Sequence, residues 1–499
     1  MALSLDGLVS GMDTTGLIQQ LMQIEAMPRT ALKNKVAVQN KAVASYQAVN
    51  TKMASLLNAA KAASDPKTWT AMKATSTSDA AAVTAAPGAT AGALTFKVDR
   101  LAAAHTMTYG GRVSSLTDAT AAPVMSGSTI DVLRADGTTT TVTPTDASLQ
   151  SVVNAINGTA NAAYKAAAVQ VAPGQYSLQL TAATTGGTSA FANASAAAAA
   201  DADADGGGTY VLTGLDELGS TSITTQGVDA KLTVGTATTY TMTSTSNTFT
   251  DIIPGVTVTA TRVQSATDAP VTVSVGADKD GIAAKVQALF ESINVALGEM
   301  KMQSATKTET TSAGTLVGDP AVRQLTQDIL SAVGRGAGAL GSFKSVGIEL
   351  DKKGNLSFDK QKFLDSYAAD PVKTQKFFDS YDNVAGGRAS TLFEPGHDTA
   401  HGLARKLEVI GLKATEGIAL PTDPINTPKE GLLTGLIQRR NDFVKDLNKQ
   451  VESWDLRLDK REAALKKQFS GFEVTLGKLR QQSSWLSGQL ASLPSPSAQ

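Results

Sequence analysis

Two histidines near the C-terminal third have the spacing of a metal site. His397 and His401 stand four residues apart in the string HDTAH, which is the spacing of two zinc ligands on one face of a helix. The string lacks the glutamate of the metalloprotease motif, Pro395-Gly396 begins a loop just before it, and the other histidine of the chain is the distant His105. We interpret the pair as surface residues and keep a zinc enzyme as the minor alternative.

An acidic run resembles the opening of a calcium-binding loop. Asp201, Asp203 and Asp205 precede Gly206, and carboxylates at loop positions 1, 3 and 5 with glycine at position 6 suit a hard cation. Position 12 of such a loop would be Leu212 instead of a bidentate glutamate, and the run is embedded in alanine repeats. A solvated acidic loop is the favoured interpretation, and calcium binding stays open.

The rest of the sequence offers little for catalysis. The stretch GRGAGALG from Gly334 lacks the Lys-Ser/Thr of a phosphate-binding loop and predicts a flexible connector. The chain has no cysteine, which excludes disulfides and thiolate chemistry, and its net charge of -1 gives no reason to expect nucleic acid as a partner. We therefore expect no catalytic residues, no metal and no cofactor.

The two chain ends carry helical patterns. Apolar residues from Leu17 to Ala60 keep a three-four stagger, which predicts an amphipathic helix or helix pair that Pro28 interrupts and Asp65-Pro66 ends. From Phe443 to Leu490 the apolar residues fall close to heptad spacing, with Arg461 as one interruption. A stripe this narrow is typical of a coiled coil, so it needs a partner helix. The N-terminal segment is the candidate within the chain, and neighbouring subunits are the candidate outside it.

Between about Ala71 and Ala277 the period of the apolar residues changes to two, which predicts antiparallel strands. Asp136-Gly137 predicts a hairpin, a short helix follows from Leu149, and Ala194–Gly208 is a low-complexity loop. Helical patterns return after Asp280 and include helices led by Ile282 and by Asp319-Pro320, with a small hairpin between Ile348 and Phe358.

These patterns predict an α+β fold, in which both chain ends form coiled-coil or helical-bundle legs around inserted antiparallel β-rich domains. The domain division that follows has four parts. They are an N-terminal leg segment 1–45 with 465–499, a helical-bundle domain 46–70 and 280–464, an inner β-rich domain 71–106 and 220–279, and an outer variable β-rich domain 107–219.

Five stretches of the sequence form an ordered set of motifs. They are LVSGMDTTGLIQQLMQIEAMP from Leu8, NTFTDIIPGVTVTA from Asn247, GTLVGDPAVRQL from Gly314, VGIELDKKGNLSFDKQKF from Val346 and KREAALKKQFSGFEVTLGKLRQQSSWLSGQL from Lys460. In this order they resemble the flagellar hook-associated protein 2 family of filament cap proteins. The segment 107–219 matches that family only in a loose hairpin-helix pattern.

The resemblance implies a non-catalytic, secreted protein at the extracellular tip of the bacterial flagellum. Its partners would be further copies in a ring-like homo-oligomer, flagellin, and the flagellar export chaperone and apparatus, with host surfaces contacted by some members. The N-terminus lacks a basic region before an apolar stretch, so we expect an export route without a cleaved signal. Residues expected to bind partners in self-assembly and filament contact are Leu17, Leu21, Ile24, Leu465, Phe469, Phe472, Leu476, Leu479 and Leu486.

Other interpretations stay open on the residues alone. The helical stripes could form only an intramolecular bundle, since amphipathic helices most often pack within their own chain. Another axial flagellar component, either flagellin or a hook-filament junction protein, also has helical ends around a β-rich middle. The Ser-Gly-Met-Asp turn from Ser10 and the segment 314–363 argue against it. A surface adhesin would lack the terminal coiled-coil stripes.

Overall fold

The computed structural model describes residues 11, 13–189, 192–193, 211–212, 215–219, 221–309, 312–351, 354–383, 392–419 and 429–491. It divides the chain into two compact units. The first unit comprises Met1–Pro66 with Ala283–Gln499, and the second comprises Lys67–Ile282. The candidate calcium ligands Asp201, Asp203 and Asp205, together with the predicted loop 194–208, lie outside the described residues.

Helices dominate the first unit and strands the second, which confirms the predicted α+β class. The α-helices are α1 (Thr14–Glu25), α2 (Met27–Ser64), α3 (Pro66–Trp69), α4 (Leu149–Gly158), α5 (Lys279–Gln303), α6 (Pro320–Gly334), α7 (Lys360–Ala369), α8 (Pro371–Asp379), α9 (Leu403–Ala414) and α10 (Leu432–Ala491).

The strands are β1 (Met72–Ser76), β2 (Ala81–Ala85), β3 (Gly92–Arg100), β4 (Ala104–Tyr109), β5 (Ile130–Leu133), β6 (Thr139–Val142), β7 (Tyr164–Ala172), β8 (Gln175–Thr185), β9 (Ala192–Asn193), β10 (Val211–Leu212), β11 (Thr221–Thr225), β12 (Ala230–Val234), β13 (Tyr240–Ser244), β14 (Thr248–Thr250), β15 (Val256–Ala260), β16 (Val271–Ala277), β17 (Ile348–Leu350), β18 (Leu356–Phe358), β19 (Tyr381–Asp382) and β20 (Thr399–Ala400). No described helix is both long and apolar enough to span a membrane.

The N-terminal helical segment breaks where the sequence predicts. α1 begins at an aspartate cap, since the Asp13 carboxylate accepts a hydrogen bond of 2.7 Å from the Gly16 amide. The helix ends before Ala26, and Pro28 lies in the first turn of α2, where its missing N–H costs no intrahelical hydrogen bond. α2 then continues to Ser64 and ends at the extended Asp65, which precedes a proline. The predicted interruption and end of the helix are both confirmed.

Residues of α5, β18, α7 and α8 form an aromatic cluster in the first unit. The rings of Phe290 and Phe358 stack with centroids 5.3 Å apart. Phe363 lies 5.7 Å from Phe358 and 5.9 Å from Phe378, and it is fully buried. Phe358 ends the hairpin β17–β18, which pairs Ile348 with Phe358 and confirms the predicted small hairpin.

The two C-terminal histidines do not share a helix face. His397 lies in a turn, and His401 follows the two-residue strand β20, with its Nε2 atom 2.7 Å from a carboxylate oxygen of Asp382. Among the described residues, no three or more His, Cys, Asp or Glu side chains come together as a metal site would need. The glycine-rich stretch begins at Gly334, the last residue of α6, and leads into a short 3-10 helix at Gly338–Leu340.

The second unit contains two apolar cores. In the first core, the antiparallel sheet β1-β16-β3-β12-β13 and the antiparallel sheet β14-β15-β2 bury alternate residues such as Phe96, Leu232 and Val258. In the second core, the sheet β11-β4-β8-β7, the hairpin β5–β6 and α4 bury residues including Leu149 and Leu180. These elements confirm the predicted antiparallel strands, although β9 and β10 pair in parallel.

Local turn and cap chemistry explains the hairpin and helix of the second core. Asp136-Gly137 connects β5 and β6, and Gly137 adopts a left-handed φ of 81° that favours glycine. The Ser148 hydroxyl then accepts a hydrogen bond from the Ser151 amide and caps α4. Both predicted elements are confirmed, whereas the division of the β-rich region into inner and outer domains stays a prediction.

Candidate partner-binding site

The terminal helices pair with each other in antiparallel fashion. Arg29 on α2 forms an ion pair of 2.8 Å with Asp455 on α10, and Arg461 forms one of 2.9 Å with Glu25 at the end of α1. Further along α2, the Arg440 guanidinium donates a 2.6 Å hydrogen bond to the Gln39 side chain. Residue numbers on α10 fall as those on α1 and α2 rise. The N-terminal segment is therefore the partner of α10 within the chain.

A polar cluster fixes the pair onto the rest of its unit. The buried Tyr46 hydroxyl donates a hydrogen bond to the Asp319 carboxylate, and the Arg440 guanidinium lies 5.3 Å from the centre of the Tyr46 ring. Asp319 also accepts bonds from two amides in the first turn of α6. Burial, and then the hydrogen bond to Asp319, raise the pKa of Tyr46. The cluster thus joins α2, α6 and α10 through a neutral tyrosine and a shared carboxylate.

The Arg29–Asp455 ion pair offers a direct test of the pairing. We expect Arg29→Asp and Asp455→Arg each to lower the free energy of unfolding of this unit, because each places like charges opposite one another. The double variant should recover most of the loss, with a coupling of about 0.5–1 kcal/mol because both side chains are partly exposed. Urea unfolding measures the coupling. The control is the same charge exchange at Lys449 and Asp446, which pair only within α10. A coupling near zero at Arg29–Asp455 would contradict the antiparallel register.

One stretch of the predicted stripe is already covered within the chain. Leu447, Val451, Leu458 and Leu465 on α10 are buried, as is Ile18 on α1. α1 packs against α10, and counting from the Glu25–Arg461 ion pair places Leu465 level with Leu21 of α1. Leu447, Val451 and Leu458 lie instead along α2, as the contacts Arg29–Asp455 and Gln39–Arg440 show. Leu465, a predicted partner-binding residue, is only 6% exposed and lies in the intramolecular interface.

Near the start of α1 and beyond it, described residues cover the stripe only in part. Counting from the same ion pair, Thr14, the first residue of α1, lies opposite Phe472. The rest of α10, residues 473–491, extends roughly 28 Å further. We call the following set the C-terminal ridge. It comprises the half-buried Phe469 and Leu476 and the exposed Phe472 (50%), Leu479 (55%), Leu486 (56%) and Leu490 (62%).

α1 carries a second apolar surface on its outward side. Leu17, Leu21 and Ile24 are 43%, 39% and 66% exposed, while Ile18 on the same helix is buried. The helix therefore uses one face against α10, and described residues cover its neighbouring apolar side only in part. We call these three exposed residues the α1 ridge. The structure thus places eight of the nine predicted partner-binding residues on these two ridges, at least partly accessible.

Sequence reasoning missed several residues of this site. Met27 and Trp485 are both large, apolar and exposed at its two ends. Arg461 is predicted only as an interruption of the stripe, but it is the residue that pairs with Glu25. The signal for this ion pair is the opposite charge of Glu25 and Arg461. It becomes visible only once α1 and α10 are known to run antiparallel.

The geometry defines a class of protein: a chain whose terminal helices pair as a stem with exposed apolar ridges, and whose intervening sequence contains a β-rich unit. Family comparisons agree with this class. The model of the flagellar hook-associated protein 2 C-terminus matches residues 227–481, and that of the flagellar hook-associated protein 2 N-terminus matches residues 10–105. The chain belongs to the flagellar hook-associated protein 2 family.

The individual relatives share less than 30% sequence identity with this chain. The A-type flagellar hook-associated protein 2 of Pseudomonas aeruginosa is 28% identical over 298 residues, which are 58% of this chain and 54% of the relative. The lateral flagellar hook-associated protein 2 of Vibrio parahaemolyticus is 26% identical over 125 residues, which are 25% of this chain and 28% of the relative. The chain thus matches about half or less of these proteins' own length.

The fold is similar to that of a flagellar cap protein whose structure has been solved. This is the crystal structure of the D1-D2-D3 domains of the flagellar cap protein FliD from Escherichia coli, with a TM-score of 0.54 and 20% sequence identity. The alignment covers 75% of this chain and 98% of that one. At this identity the likeness is one of fold.

Proposed function

We propose that the chain caps the distal end of the flagellar filament as a homo-oligomer and promotes the folding and insertion of exported flagellin. Filament elongation and motility would then depend on it. The observation that carries this proposal is the family membership of both chain ends, which are the ends that form the stem with its exposed ridges. In this role the protein acts by positioning its partners, without catalysis.

The ridges suit a contact that is made and broken repeatedly. Fully burying a leucine or phenylalanine side chain contributes about 1.5–3 kcal/mol, and the exposed members of the C-terminal ridge retain about half of their accessible surface. Each residue therefore contributes a modest amount when a partner covers it. A cap that must move as subunits are added needs contacts of this reversible kind.

The same proposal assigns the location and the other partners. The protein would be exported with the help of the flagellar export chaperone and apparatus and would reside outside the cell at the filament tip. Contact with a host surface would be made by the β-rich second unit, to which the variable segment 107–219 belongs.

Complementation tests this function. In cells lacking the gene, the full-length chain should restore filaments and swimming. A chain that ends at Leu465 keeps the buried part of the stem but lacks the exposed C-terminal ridge. We expect that truncation to leave flagellin in the medium without filaments, as seen by electron microscopy. Filaments of normal length in the truncated strain would refute the role of the ridge, and their presence in the deletion strain itself would refute the capping function.

A further inference from the structure

Charge is distributed unequally between the two ends of the chain. Residues 1–28 contain the acidic residues Asp6, Asp13 and Glu25 and no basic residue. Residues 466–499 contain one acidic residue, Glu473, and four basic ones, which are Lys466, Lys467, Lys478 and Arg480. The α1 ridge therefore lies in an acidic segment, and the C-terminal ridge lies in a basic one.

Within one chain the α1 ridge cannot cover the distal part of the C-terminal ridge, from Leu476 to Leu490. α1 already contacts α10 through the face that contains Ile18, and the α1 ridge lies to one side of that contact, about 60–120° around the helix. Counting from the Glu25–Arg461 ion pair places Leu21 level with Leu465. Leu479 lies roughly 21 Å further along α10. Among the described residues, neither ridge has a full cover from its own chain.

We propose that these two ridges bind each other between copies, so that the α1 ridge of one copy packs against the C-terminal ridge of the next. This inference rests on the proposed homo-oligomer and specifies how its copies meet. Opposite charges favour this contact over the alternatives. Two C-terminal ridges would bring together two basic segments, and two α1 ridges would bring together two acidic ones.

The contact is heterologous, because a different surface of each copy takes part. A heterologous contact repeated around an axis closes into a ring when its rotation allows closure. In such a ring, the α1 ridge of each copy packs against the next copy, and its C-terminal ridge binds the α1 ridge of the previous copy. A pairing of identical surfaces would stop at a dimer.

Disulfide trapping tests the inference, since the chain contains no cysteine of its own. Chains with Leu21→Cys and a first tag are mixed with chains with Leu479→Cys and a second tag, assembled and oxidised. We expect disulfide-linked dimers that carry both tags, several-fold more abundant than the dimers formed by either variant alone. Mixtures of Leu21→Cys with Phe472→Cys or Leu486→Cys cover both directions along the C-terminal ridge.

The matched control is Val474→Cys, which is equally exposed on α10 but lies on another face of the helix. It should give few dimers with Leu21→Cys. A preference for like pairs, or no mixed dimers in a preparation that native mass measurement shows to be oligomeric, would overturn the inference. If Leu21→Cys chains link instead to flagellin carrying surface cysteines, the ridge belongs to another protein. That result also overturns the inference and leaves the capping function intact.

Discussion

Replacing Leu479 with aspartate is expected to abolish swimming while the protein remains folded. Leu479 is more than half exposed on the C-terminal ridge, so a carboxylate there finds water in the isolated chain. The free energy of unfolding should stay within about 0.5 kcal/mol of the unaltered protein. Once a partner covers the ridge, the same carboxylate must lose its water without a hydrogen-bond partner, and the contact fails. Leu476→Asp should act in the same way.

Val474→Asp provides the control for this experiment. Val474 is also exposed and on the same helix, but five residues turn an α-helix by about 140° away from Leu479. The control places the same charge on α10 outside the ridge. Swimming and filament length are measured in the complemented deletion strain, alongside circular dichroism of the purified variants. Equal loss of motility in the two variants would show that charge on α10, and not the ridge, causes the defect.

Replacing Phe363 with alanine is expected to destabilise the first unit far more than any substitution of an exposed residue on α10. The ring is fully buried and contacts Phe358, Tyr367 and Phe378 through centroid distances of 5.7, 6.3 and 5.9 Å. Removing it leaves a cavity at the centre of the aromatic cluster, because neighbouring rings held by three elements can close in only partly. We expect the free energy of unfolding of the first unit to fall by about 3–5 kcal/mol.

Urea unfolding followed by far-ultraviolet circular dichroism measures this loss, since most of the helical residues belong to that unit. Phe443→Ala is the matched control, because Phe443 is about half exposed on α10. Its effect should stay within about 0.5 kcal/mol. A small effect of Phe363→Ala would mean that the aromatic cluster is not the stabilising core of the unit.

Elements that depend on neighbouring residues could be predicted from the sequence. The helix break at Pro28, the hairpin at Asp136-Gly137 and the start of α6 at Asp319-Pro320 all follow from backbone chemistry within a few residues. The heptad stripe of α10 is equally local, because its spacing is set by the helical repeat. These features needed no knowledge of the tertiary structure.

Features that join distant residues could not be predicted. The second role of Asp319, as acceptor for Tyr46, connects residues far apart in the sequence, and no pattern marks that pair. The orientation of α1 is a similar case. Leu17, Ile18, Leu21 and Ile24 give this short helix apolar residues on two faces, and periodicity does not indicate which face packs against α10.

The two sides of the stem differ in continuity, because α10 is an unbroken helix and the N-terminal side consists of two helices. α10 is a single helix of 60 residues, roughly 90 Å long, whereas the N-terminal helices opposite it, α1 and α2, are separated at Ala26. Tension applied at Ala491 travels through continuous backbone hydrogen bonds to Leu432. Tension applied at Thr14 meets the break after a single short helix. We therefore expect a pulling force on the paired helices to be carried mainly by α10 and to separate α1 from α10 first.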